Sequence, residues 1–192
     1  MQAQATRDGL LAAAARLFTT RGWGATGMRD IAREAGVATE TIYAHFSSTA
    51  DLLRRVIDIA VVGDDAPTPV AGRPEFAAIG QGSRSQRIAA AARVVTAVHQ
   101  RTAGFAKVLR EAAPTDEAIA EELHDTRERQ RLDVEAGATL LLGRPPTAAE
   151  RDGLWALVSA EVYLLLVEAS GWSVDQYETW VASTMDAVIA PT

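Results

Sequence analysis

Three observations on the 192-residue sequence predict an all-α fold. Apolar residues recur at helical spacing, as in Leu10, Ala14, Leu17 and Phe18. No stretch sustains the polar–apolar alternation of a half-buried strand. Ala, Leu, Val and Arg dominate the composition. A chain of this length buries a substantial core, enough for one small and one medium helical domain.

The first helix is predicted from Thr6 to about Arg21, with Thr6 as cap and Asp8 in the first turn, where the helix dipole favours an acid. Gly22 ends it, and Trp23 folds back as a lid on the small core. A second helix begins near Met28, capped by Thr26 or Gly27, with Ile31, Ala32 and Ala35 inward. Gly36 makes a tight turn and Val37 plugs the space between helices. A third helix spans roughly Thr39 to Phe46, with Ile42 and Phe46 inward. So short a helix must be held by tertiary packing rather than propensity. The pair Ser47–Ser48 caps a fourth, about 49–62, whose apolar face is Leu52, Leu53, Val56, Ile57 and Ala60.

Residues 63–82 hold three Pro and four Gly and are predicted to be a linker, with a short helix at Glu75–Ile79. Helices are then expected at Ser85–Gln100, Thr102–Ala112 and about Asp116–Leu142. Two capping boxes, Thr147 with Glu150 and Ser173 with Gln176, start helices that run to about Ser170 and Ile189. The implied domains are 1–50, with the 49–62 helix as connector, and 63–192.

The sequence has no cysteine, which excludes disulfides and thiol chemistry. Its start reads as an amphipathic helix rather than a signal peptide. The most apolar stretch, residues 154–167, is too short to span a bilayer and contains Glu161, so no membrane association is expected and the compartment predicted is the cytoplasm. The net charge of −6 is unevenly spread. Residues 1–55 hold seven Arg against five acids, while residues 56–192 hold 12 basic against 20 acidic residues. Only the N-terminal segment, at +2, faces phosphates comfortably; the remainder, at −8, repels them.

The third helix is the chemical centre of that segment. With Ile42 and Phe46 inward, it presents Thr39, Glu40 and Tyr43 to solvent, with Thr41 and His45 around the side. Thr methyls suit thymine methyls, and hydroxyls suit base edges or phosphates. A Tyr hydroxyl and an imidazole N–H are phosphate donors. Arg29, near the start of the second helix, is placed to meet the backbone of a duplex. Two helices, a tight turn and this polar face together form a helix-turn-helix, whose second helix enters the DNA major groove.

The run TRGWGATGMRDIAREAGVATETIYAHFSSTADLL, residues 20–53, resembles the DNA-binding region of TetR-type transcriptional regulators. The shared features are an Arg-Gly-aromatic turn, the I-A-x-x-A-G-V helix-turn, a Y-x-H-F end and a following helix with D-L-L. The resemblance covers about 50 residues, and the later GWSVDQYETW is also similar to regulators of this type. It implies phosphate contacts for Tyr43 and His45, base reading for Thr39, Glu40 and Thr41, and a place at the edge of the second helix for Thr26 and Arg29. Two departures stand out. Thr49 occupies a position where many members carry Lys, leaving Ser48, Thr49 and helix N–H groups to meet phosphate. Glu40 stands where Gly is common, and its carboxylate either accepts from a cytosine N4 or repels phosphate.

Other constellations carry less. Glu121-x-x-His124 matches half of a di-iron bundle motif, but only one copy exists, inside a dense charge run that reads as a solvated face. No metal or cofactor is expected. His99, Phe105, Trp155, Glu161 and Tyr163 are the candidate ligand-pocket residues of the second part. For His99 the bland alternative is a helix C-terminus favoured by the dipole, and for Glu161 partial exposure or an ion pair. The helix at 147–170 is apolar over a wide arc and must be covered on both sides. Paired with the helix at 173–190, it would form a four-helix bundle with a second copy, which is how the resembled family dimerises.

The predicted protein is thus an N-terminal three-helix helix-turn-helix domain followed by a larger helical-bundle ligand and dimerisation domain. Its expected function is that of a homodimeric repressor on a double-stranded DNA operator, released by a small-molecule effector, and not that of an enzyme. The alternatives are a helical protein-interaction adaptor and a helical-bundle enzyme; only three scattered His and no phosphate-binding Gly loop disfavour the latter.

Overall fold

The computed structural model describes residues 2–64, 66 and 68–189; Asp65 and Pro67 of the predicted linker and Ala190 of the last predicted helix lie outside the described residues. Every regular element among the described residues is helical. In chain order these are α1 (Gln2–Arg21), α2 (Met28–Glu34), α3 (Thr39–Tyr43), α4 (Thr49–Val62), α5 (Pro74–Ala77), α6 (Arg84–Ala112), α7 (Glu117–Leu142), α8 (Ala148–Leu157), α9 (Ala160–Tyr163) and α10 (Val174–Val188). They divide into two compact units: the described residues up to Val61 with Gly104–His124, and Val62–Ala103 with the described residues from Asp125.

In the first unit, Leu10, Ala14, Leu17 and Phe18 of α1 pack with Ile31 and Ala32 of α2, Ile42 of α3, and Leu52, Leu53 and Val56 of α4. These four helices do not complete the core alone. Phe105 and Leu109 of α6 and Ile119 from the start of α7 join it, so the unit takes in residues well beyond position 62. Trp23 is the expected lid: it stacks on Phe18 at 5.9 Å, and its indole N–H donates to Asp116 Oδ2 at 2.9 Å. The α1 helix starts before Thr6, because Ala3, Gln4 and Ala5 are good helix formers. Thr6 and Asp8 are therefore interior residues, and no acid sits in the first turn.

In the second unit, the stretch predicted as a linker is partly structured. Arg73 grips Asp64 through two bonds of 2.6 Å, and Phe76 and Ile79 bury into the unit's core. The break predicted near Arg101 is absent: α6 runs unbroken through Gln100-Arg101-Thr102, residues with no helix-breaking chemistry, and the Thr102 hydroxyl bonds back to the Val98 carbonyl. A break does occur where a single helix was predicted from Thr147 to Ser170. Val158 leaves helical geometry, and Ser159 caps a new start by accepting from the Val162 N–H. That second segment widens into a π-turn at Leu164–Ala169. Both predicted capping boxes are present. Thr147 N–H donates to Glu150 at 2.8 Å and Ser173 N–H to Gln176 at 2.8 Å, with reciprocal bonds from the N–H groups of Glu150 and Gln176.

Candidate nucleic-acid interface

The turn between α2 and α3 follows from one glycine. Gly36 adopts φ +71°, the left-handed conformation that side chains disfavour. This lets Val37 N–H reach the Ala32 carbonyl (3.0 Å) and Gly36 N–H the Arg33 carbonyl (3.2 Å), the paired bonds of a Schellman stop. Val37 then packs against the core, and the chain re-enters helix at Thr39. The α-helical part of α3 ends at Tyr43, but His45 and Phe46 N–H both still bond the Ile42 carbonyl, so the turn continues to Phe46. Ile42 is fully buried and Phe46 nearly so, which fixes the rotation of α3. Glu40 and Tyr43 are exposed, Tyr43 at 55%, and Thr39, Thr41 and His45 are half-buried beside them.

The flanks complete this surface. Arg29 is exposed and makes no ion pair with a described residue, whereas Arg33 is held by Asp30 and Arg16 by Glu34. At the start of α4 the Ser48 hydroxyl accepts from Asp51 N–H at 3.0 Å, and the Asp51 carboxylate accepts from the Ser47 N–H and hydroxyl. Ser48 is exposed and Thr49 half-buried. Thr26 is not on this surface. It is 5% exposed, and its hydroxyl is turned to the Gly22 and Leu17 carbonyls, so it braces the turn before α2. Its removal from the contact face follows from Met28, the next apolar anchor, which is also buried.

The ligand-pocket candidates do not form one group. Phe105 belongs to the core of the first unit. His99 and Tyr163 do meet, with ring centroids 5.4 Å apart, deep in the second unit. His99 lies in the middle of α6, so the helix-terminus reading fails. Its Nδ1 is 2.9 Å from the hydroxyl of Tyr177, a residue the sequence reading missed. The Val158 carbonyl, freed by the break after α8, receives the other ring N–H and also the Gln130 side-chain amide at 3.0 Å. With Nε2–H donated to a carbonyl, Nδ1 is the acceptor and Tyr177 O–H the donor. Burial pushes His99 down to about 4 and raises both Tyr163 and Tyr177, so all three rings are neutral near pH 7. Trp155 and Glu161 each lie against an arginine of α7, and the Glu161 carboxylate is near enough to His99 to act on its charge. Arg131 lies 4.9 Å above the Trp155 ring, and Arg127 bonds a half-exposed Glu161 at 3.2 Å.

Glu121 and His124 are exposed on α7, while Glu122 between them is 1% exposed and paired with Arg54 of α4. No group of metal-ligating side chains occurs among the described residues, and no described helix is long and apolar enough to cross a membrane.

Comparison with known proteins places this geometry. Residues 10–56 match the family of bacterial regulatory proteins, tetR family. The same region is 44% identical over 61 residues to the HTH-type transcriptional activator FasR of Mycolicibacterium smegmatis, covering 30% of this chain and 28% of that protein. It is 42% identical over 57 residues to the HTH-type transcriptional regulator TtgR of Pseudomonas putida, covering 30% of this chain and 27% of that protein. These matches span little more than a quarter of the curated relatives. The fold extends further. A member of the TetR family from Streptomyces coelicolor aligns with TM-score 0.68 at 18% identity over 97% of this chain and 99% of that one. The SmeT–triclosan complex aligns with TM-score 0.67 at 18% identity over 97% and 95%. The α2–turn–α3 region thus lies inside the segment that matches the tetR family of bacterial regulatory proteins, and the helical fold is shared with these solved structures over nearly the whole chain.

Proposed function

We propose that this protein is a homodimeric, effector-responsive transcriptional repressor that binds a pseudo-palindromic DNA operator. The observation that carries the reading is the α2–turn–α3 surface: a short helix, rotationally locked by Ile42 and Phe46, that exposes Glu40 and Tyr43 beside half-buried Thr39, Thr41 and His45. Tyr43 and His45 donate to phosphates with Ser48 and Thr49 at the next corner and Arg29 on the opposite flank. Thr39, Glu40 and Thr41 face base edges in the major groove.

The second unit takes the effector and the partner subunit. SmeT, whose fold this chain shares, binds triclosan in the structure so described. In this chain the neutral rings of His99 and Tyr163 and the hydroxyl of Thr96 offer recognition chemistry for an uncharged ligand. Thr96 is 2% exposed and its hydroxyl has no hydrogen-bond partner among the described residues. Dimerisation uses the broken helical segment 147–170 and α10, with Leu165 of the former 62% exposed. The effector must bind the DNA-incompetent state more tightly than the DNA-bound one to release the operator.

The test is duplex binding by the intact protein and by Tyr43→Ala, measured by fluorescence anisotropy at low salt. Wild-type binding, with a loss for Tyr43→Ala that is similar on every sequence and an unchanged dimer, supports the reading. Operator affinity unchanged in Tyr43→Ala removes the phosphate role, and no duplex binding by the wild type overturns the function.

A further inference from the structure

Arg7 lies outside the helix-turn-helix, on the second turn of α1, yet its guanidinium carbon sits 6.0 Å from the centre of the Phe46 ring. Phe46 is the last residue of the α3 turn, and Ser47, Ser48 and Thr49 follow directly into α4. We propose that Arg7 supplies the positive charge of a DNA-phosphate site at the α3–α4 corner, together with the Ser48 and Thr49 hydroxyls. This inference rests on the DNA-binding reading above and adds a contact from a helix that reading does not use.

Three features carry it. First, Arg7 is three and four residues before the buried Leu10 and Leu11, so it leaves the apolar face of α1 where the core ends. Its guanidinium lies over the Phe46 ring, and the residue is half-buried there. Second, a guanidinium carries its N–H donors as a planar fork that matches the oxygens of a phosphate. Third, the corner has no cation of its own. Ser47, Ser48 and Thr49 bring only hydroxyls and N–H groups, and its acid, Asp51, is folded back onto Ser47. Arg29 meets phosphate from the start of α2; Arg7 gives the end of α3 a second cation, so both flanks of the recognition helix carry charge.

The experiment measures the salt dependence of binding to a labelled duplex of mixed sequence for the intact protein, Arg7→Lys, Arg7→Met and Arg7→Gln. Met keeps a long apolar side chain beside Phe46 without the charge, and Lys keeps the charge. Each neutralised phosphate contributes about 0.9 to the slope of log affinity against log salt. Arg7→Met should lower that slope by about 0.9 per protomer while Arg7→Lys retains it, with the melting temperature of both close to wild type. If Arg7→Met does not fold, Arg7→Gln carries the same comparison. A slope in the neutral variant equal to wild type overturns the proposal, as does an equal loss in Arg7→Lys, which would make the effect one of packing. Absence of duplex binding by the wild type instead overturns the DNA-binding reading itself.

Discussion

Protonation of His99 should unlock the second unit on acidification. The ring is 3% exposed, and burial lowers its pKa from 6.5 to about 4. Both ring nitrogens are engaged in the neutral form, Nδ1 as acceptor for Tyr177 and Nε2 as donor to Val158. A proton on Nδ1 turns that acceptor into a donor facing the Tyr177 hydroxyl, inside a cluster of three rings. Because the folded pKa is depressed below the unfolded value, the unfolded chain binds the proton more readily between these two pKa values. The contribution is therefore fully present above about pH 6.5, declines as pH falls and is exhausted below about pH 4. The difference of roughly 2.5 pKa units corresponds to about 3 kcal/mol over the whole window, and to about 2.5 kcal/mol at about pH 4.5. Carboxylates also titrate there, so the assay compares wild type with His99→Gln, which stays neutral and keeps one donor and one acceptor. Urea unfolding at about pH 7 and about pH 4.5 gives four stabilities, and the difference of differences isolates His99. The wild type should lose about 2.5 kcal/mol more than His99→Gln. Equal losses would show that His99 is not held neutral by its surroundings.

Two further outcomes follow from the first unit. Glu40→Gln should change which base is preferred at one or two positions, by about 1–3 kcal/mol of discrimination, with little change in affinity for mixed-sequence DNA; a uniform gain at every position, read by competition binding, would show that Glu40 acts only by repelling phosphate. The Arg54–Glu122 pair is asymmetric, with Arg54 49% exposed and Glu122 2% exposed. Arg54→Met takes an ion-pair partner from a buried carboxylate and should cost up to about 3–5 kcal/mol, whereas Glu122→Gln leaves a cation that can turn to water and should cost less than half as much as Arg54→Met; equal costs in denaturant unfolding would contradict the asymmetry.

The legible parts of the fold were those set by local chemistry. Gly36, Gly22 and the capping pairs Thr147–Glu150 and Ser173–Gln176 each satisfy backbone groups within a few residues, so the sequence alone locates them. The rotation of α3 was equally readable, since Ile42 and Phe46 are the apolar residues at helical spacing there. What was not legible depends on distant partners. The break at Val158 is stabilised by Gln130 and His99, which take up its carbonyl from 28 and 59 residues away, and no local signal marks it. Phe105 looked like a pocket residue because it follows His99, but the intervening helix carries it into the other unit's core. Thr26 has the right type for a DNA contact and the wrong direction, which only the Leu17 and Gly22 carbonyls reveal. Tyr177 was hidden within an ordinary apolar stripe with Val181 and Met185. Arg7 gave no signal at all until α1 was seen to bring it beside Phe46.

The most direct measurement is selection of bound duplexes from a random-sequence pool with the purified full chain, followed by sequencing. A homodimer carrying one α3 per subunit predicts an enriched pseudo-palindrome with half-site centres about one helical turn, ~34–36 Å, apart or a multiple of it. Enrichment of an unsymmetrical site would contradict the dimeric arrangement, and recovery of a pool no different from the input would contradict sequence-specific DNA binding altogether.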